Sequence, residues 1–240
     1  MGIKQEDGSI IKEGTKNWSP LVYDGTLHFL ISSFPTIVVR CETPDYLTWD
    51  VCVPSIGSMT SIGNFQQFQL AMVFRGGSNF IPYPDKGSNI FVGFLHSRTN
   101  QHQCSVLGEL QFLHVPILFI IVRADDETWH PIYLSHAPDF LFGHKILASL
   151  HPLMRHHIQD PVSLSRYDHE SGDVFVTLNM ADTEGRCAVG VYRNLLPLPT
   201  ETGSSNWVLN AAKNYKLYNA TKCYQESVAS LMNVCQNRYH

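Results

Sequence analysis

From Asn17 to Val53 apolar and polar positions alternate with the two-residue period of a half-buried strand, as in LHFLISS, and the β-branched run TIVVRC and the segment YLTWDVCVP extend the pattern. Asp24-Gly25 between two such runs predicts a type I′ hairpin turn, because that turn needs positive φ at both central positions. The same device recurs in SPLVYDGTLHFLISS (Ser19 to Ser33), SNFIPYPDKGSNIFVGFLHSR (Ser78 to Arg98) and VSLSRYDHESGDVFVTLNMAD (Val162 to Asp182). Each copy is an apolar strand, a polar turn, a second apolar strand and a polar residue where that strand is expected to end. A single hairpin cannot bury its apolar face. Copies spaced by ~60 and ~85 residues therefore predict hairpins stacked as sectors about a common centre, an all-β, β-propeller-like fold, with the polar strand ends converging on that centre.

Three regions depart from the pattern. Residues 1–15 are polar with three glycines and are expected to form a lead-in loop. Residues 99–131 fit the repeat least well and read either as an atypical insertion carrying one hydrophobic strand or as a splicing artefact. Their apolar run Phe112 to Val122 is interrupted by His114 and Pro116 and falls short of the ~20 residues that span a bilayer, so it reads as a buried strand. From Tyr133, IYLSHAPDFLFGHKIL suggests a strand, a turn at Ala137-Pro138-Asp139 and another strand, and TEGRCAVGVYR supplies one more through Gly185. After the loop LPLPTETGSSN the alternation stops, and Tyr224, Val228, Leu231 and Val234 recur at helical spacing. The expected organisation is a lead-in at 1–15, a propeller-like domain at 16–195 and a loop plus C-terminal helix at 196–240.

Composition narrows the function classes. The chain has 240 residues, 44% apolar and 16% charged, with a net charge of −4, which supplies no electrostatic footprint for nucleic acid. No polybasic run or spanning segment is expected to engage a membrane, and the N-terminus lacks the charged-then-apolar form of a signal peptide. Six cysteines are too sparse for a disulfide scaffold and read as buried thiols, although Cys41 and Cys52 would face each other across a hairpin and Cys223 and Cys235 flank the last helix. An even cysteine count and the sequon Asn219-Ala220-Thr221 keep a secretory lumen open beside a cytoplasmic location.

Candidate chemistry sits at the hairpin boundaries. Lys16-Asn17 stands before the first hairpin, where the lysine either enters the central cleft or is a solvated strand-edge residue. Arg75-Gly76-Gly77-Ser78 offers a guanidinium fork and close backbone approach for an anion or sugar, or a plain turn. His96 and Asp182 close the second and third hairpins, each with an ordinary structural alternative, and Asp160-Pro161 reads as a turn. The stretch HPLMRHHIQD (His151, His156, His157) lacks a ligand spacing for metal, so no metal site and no cofactor are expected. No GxSxG, P-loop, HExxH or dinucleotide motif is present.

The order Lys-Asn-Trp-x-Pro, aromatic hairpin with Asp-Gly, Gly-rich entry to a hairpin with His, then Ala-Asp-Thr resembles the five-bladed propeller carbohydrate-active enzymes: the β-mannoside phosphorylases and hydrolases of glycoside hydrolase family 130 and the related β-1,2-mannosyltransferases. The resemblance covers residues ~16 to ~193. It implies part of a five-bladed propeller, with a glycosyl-transferring or glycoside-cleaving activity on a mannosyl-type substrate and an oligosaccharide, sugar phosphate or nucleotide sugar as partner. It places Lys16, Asn17, Arg75, His96 and Asp182 at the substrate, on sugar hydroxyls or an anionic leaving group. The family's catalytic aspartate lies in blades that precede the Lys-Asn element, and here only 15 residues do so. The expectation is a chain lacking its first one or two blades, or a relative that has lost its acid. In the second case it would bind carbohydrate or protein without catalysis. Glycosyl transfer needs a proton donor or an activated leaving group, and no residue here takes the donor role.

Overall fold

The computed structural model describes residues 2–4, 10–11, 18–41, 51–54, 74–100, 112–136, 159–180 and 186–237. Their strands run in chain order as β1 (Gly2–Lys4), β2 (Ile10–Ile11), β3 (Ser19–Tyr23), β4 (Thr26–Ser33), β5 (Thr36–Cys41), β6 (Val51–Pro54), β7 (Phe74–Gly76), β8 (Ile81–Tyr83), β9 (Ile90–Asn100), β10 (Phe112–Arg123), β11 (Trp129–Leu134), β12 (Gln159–Tyr167), β13 (Val174–Met180) and β14 (Arg186–Tyr192). Two α-helices follow, α1 (Trp207–Lys213) and α2 (Ala220–Asn237).

The strands form three sheets, each an antiparallel meander: β6-β5-β4-β3, extended by β1 and β2; β11-β10-β9-β7, with β8 also on β9; and β12-β13-β14. All three predicted hairpins are present. In the first, Asp24 and Gly25 take φ of 48° and 71°, as the type I′ turn requires. The second differs from expectation, because its leading strand β8 is short and β9 pairs chiefly with β10, over eleven residue pairs. Residues 99–131 supply β10 to the centre of the second sheet. The expected lead-in loop contains β1, which joins the first sheet by parallel pairing of Ile3 with Cys52.

The second sheet is buried on both faces, which is why its strands read as nearly continuous apolar runs. Side-chain alternation sorts them. Phe91, Leu95, Val115, Ile117, Phe119 and Ile121 pack with Leu21, Leu30 and Val38 of the first sheet. Ile90, Val92, Phe94, Leu118, Ile120 and Val122 pack with Leu164, Val174, Val176 and Leu178 of the third. The layers are tied by the segment entering the second hairpin. Phe80 N donates to Pro20 O at 2.8 Å on one side. On the other, Asn79 Nδ2 donates to Leu164 O at 3.1 Å while Asn79 Oδ1 accepts from Leu164 N at 2.9 Å, so one amide side chain imitates a strand partner for β12.

The C-terminal helix α2 is present with Tyr224 and Leu231 inward, as its spacing predicts. Tyr224 lies between the rings of Phe34 and Phe74, at centroid distances of 4.6 and 5.3 Å, and Ser227 Oγ donates to Ser135 O at 2.8 Å. The preceding helix α1 falls where alternation had stopped without a helical signal being read; Asn206 caps it by accepting from Leu209 N at 3.1 Å. Cysteine usage also differs from six buried thiols. Cys41 and Cys52 form a disulfide across β5 and β6, and Cys187 is exposed. Cys223 and Cys235 lie within α2 rather than flanking it. Twelve residues apart on a helix they are ~18 Å apart along its axis, too far to bridge. The strand expected after Ala137-Pro138-Asp139 lies outside the described residues.

Candidate functional site

On β9 the even-numbered side chains face the third sheet, so the row Ile90, Val92, Phe94 ends in His96 on that face. Sheet pairing extends the row sideways: Arg75 of β7 and Pro116 of β10 are the Cα partners of His96. Directly opposed residues in an antiparallel ladder share a face. Arg75 therefore stands beside His96, and His114, two residues before Pro116 on β10, lies on the same side. The imidazoles of His96 and His114 stack in parallel, with centroids 5.3 Å apart.

Across the interface, β12 brings Asp160. Its Oδ1 lies 3.1 Å from His96 Nδ1, the His96 side chain being 4% exposed and that of Asp160 32%. Two contacts position this carboxylate. The Asn79 clamp holds β12 at Leu164, and Gly77 lets Pro161 approach so closely that a Cβ on residue 77 would sit 2.8 Å from Pro161 Cγ and 2.9 Å from Pro161 O. The Gly-rich element thus matters for strand packing next to the site as well as for any approach to a ligand.

The second hairpin strand does not end at His96; it continues to Asn100, paired with β10 throughout. His96 marks instead where the apolar row facing the third sheet gives way to polar groups. Of the five residues expected at a substrate, Arg75 and His96 are adjacent, while Lys16, Asn17 and Asp182 lie outside the described residues, as do His151, His156 and His157. Sequence reasoning missed His114, read as an interruption of a strand, and took Asp160 as a turn residue. Although no metal site was expected, ligand-capable atoms of His96, His114 and Asp160 lie within 4.8 Å of one another. The local signal for this grouping is weak: all three are potential metal or hydroxyl contacts, but they come from three separate strands.

A buried imidazole and a partly exposed carboxylate at hydrogen-bonding distance, beside a guanidinium, can accept and donate hydrogen bonds to polyhydroxylated ligands and can hold an anionic group. Among the described residues no helix is long and apolar enough to cross a membrane.

Comparison with known proteins gives a distant relation. Over 143 residues, 58% of this chain, the sequence is 26% identical to Beta-mannosyltransferase 4 of Komagataella phaffii, and the same match recurs in a second strain of that species. The matched region spans 25% of the length of those relatives. No protein-family model and no solved structure matches the chain.

Proposed function

We propose that this chain belongs to a carbohydrate-active protein acting in mannosyl transfer, and that its three meanders are blades of a five-bladed β-propeller. The observation that carries the reading is the grouping of Arg75, His96 and Asp160 on facing strands, within a chain similar to a β-mannosyltransferase. Successive meanders stacked face to face, with β4 on β7 and β9 on β12, are the packing expected of neighbouring blades.

In this reading His96, held by Asp160, contacts sugar hydroxyls, and Arg75 takes a phosphate or nucleotide leaving group. Lys16, Asn17 and Asp182 join them on the substrate. An activated donor such as a sugar phosphate or nucleotide sugar supplies its own leaving group, so transfer from it does not require a proton donor among the residues assigned here. The glycoside-cleaving alternative does require one.

The test uses the full-length protein. Binding of β-mannosides is followed by saturation-transfer NMR, and transfer is followed with mannose 1-phosphate and nucleotide-mannose donors. The His96→Ala/Asp182→Asn double variant should lose binding and turnover while keeping the wild-type circular dichroism spectrum. Unchanged binding and turnover in that folded variant would remove the site assignment. Mannoside binding without turnover from any donor would replace transfer with carbohydrate recognition alone.

A further inference from the structure

We infer that His96, His114 and Asp160 form a binding site for one divalent transition-metal ion, zinc or a similar borderline cation. The inference rests on their geometry and stands whether or not the mannosyl reading does.

The donor set fits such an ion. Two imidazoles and one carboxylate are the ligands of choice for zinc and its first-row neighbours, while calcium and magnesium prefer all-oxygen shells. The spacing fits as well. Ligand atoms ~2.0 Å from a tetrahedral ion are ~3.3 Å apart, and His96 Nδ1 and Asp160 Oδ1 are already separated by 3.1 Å. The atom from His114 completes a set contained within 4.8 Å; because its ring lies parallel to that of His96 with centroids 5.3 Å apart, one imidazole must also turn about its side-chain torsions to aim its in-plane lone pair at the shared ion.

The strands supporting them are rigid. His96 and His114 are on the paired β9 and β10, flanked by Phe94, Val115, Ile117 and Leu118, which are at most 1% exposed. Asp160 is fixed from the third sheet by the Pro161–Gly77 approach and the Asn79 clamp. Nδ1 of each histidine and Oδ1 of Asp160 are withdrawn from solvent, while the Asp160 side chain as a whole stays about one-third exposed. Three protein ligands leave one position of a tetrahedral ion open. That position would take water, a sugar hydroxyl or a phosphate oxygen. Metal binding would also cross-link the second and third sheets.

The experiment is titration of chelator-treated, dialysed full-length protein with zinc and cobalt(II), read by calorimetry and by cobalt visible absorption. The expected result is one ion per chain, with affinity lowered on the order of 100-fold or more in each of His96→Ala, His114→Ala and Asp160→Asn. The change His169→Ala, at an exposed histidine outside the cluster, should have no effect. Absence of saturable binding overturns the inference, as does binding that survives in all three folded variants. If the variants fail to fold, X-ray absorption of the zinc-loaded wild type decides: a nitrogen/oxygen shell with imidazole scattering supports the site, and a sulfur shell or an all-oxygen shell refutes it. Metal binding in protein that ignores mannosides would leave this inference standing and remove the mannosyl reading.

Discussion

Replacing Gly77 by alanine tests the packing that carries Asp160 to His96. The added Cβ would lie 2.8 Å from Phe94 O, 2.8 Å from Pro161 Cγ and 2.9 Å from Pro161 O. Two of these three atoms are backbone oxygens on different strands, so no rotamer change relieves both contacts. Restoring ordinary separation requires about half an ångström of movement between β12 and the exit of β7, in a region already close-packed. The movement also strains the bond in which Ser78 N donates to Phe94 O at 2.9 Å. Overpacking of this kind costs about 1–3 kcal/mol. At ~2–4 °C per kcal/mol for a domain of this size, the melting temperature should fall by about 2–12 °C. Urea unfolding followed by circular dichroism measures the free energy, and Gly87→Ala serves as the control. Its Cβ meets nothing nearer than Asp85 Oδ1 at 3.6 Å, so its effect should stay within ~0.5 kcal/mol. A Gly77→Ala protein as stable as that control would refute the close approach of β7 and β12, and with it the positioning argument for Asp160.

Other outcomes follow from the same contacts. Asn79→Ala strips partners from the Leu164 N–H and C=O, both on a buried residue, and should cost about 2–4 kcal/mol in urea unfolding; wild-type stability would contradict the clamp. Non-reducing peptide mapping should recover Cys41 linked to Cys52, and the Cys41→Ser/Cys52→Ser variant should lose about 3 kcal/mol on the chain-entropy model; free thiols at both positions would contradict it. The imidazoles of His28 and His130 are held below their ordinary 6.5, in each case first by burial, with Arg123 and Arg40 adding to the effect at His28 and Lys216 at His130. In the window between 6.5 and the lower folded values the unfolded chain binds more protons, so this contribution is complete above pH 6.5 and is lost as pH falls. Unfolding free energy should therefore drop as pH falls below 6.5, less steeply in His28→Gln. A flat profile, or an identical slope in the variant, would oppose the assignment.

The sequence by itself determined those features whose physics is local. Asp24-Gly25 could only make its hairpin with both residues at positive φ. The spacing of Tyr224, Val228 and Leu231 declared a helix with one apolar side. The facing of Cys41 and Cys52 was legible only as an alternative to buried thiols; the pairing of β5 with β6 decided it. The assignment weakened where burial is two-sided. β10 has apolar residues on both faces, so its run read as a buried strand but carried no alternation to say which side chains face which sheet, and His114 within it read as an interruption. The short helix α1 depends on the Asn206 cap and on Val208, which is buried in the interface with the third sheet.

The candidate site was decided by tertiary structure. His96, His114 and Asp160 are separated by 18 and 46 residues in the chain, and no spacing rule relates them. Two depend on the β9–β10 register, in which a shift of one residue would send His96 to the opposite face. The third depends on how closely β12 packs, set by the absent side chain of Gly77 and the amide of Asn79. Local pattern specifies which way a side chain points from its own strand; which other strand it meets is set by register and sheet packing, because those contacts are made between segments distant along the chain.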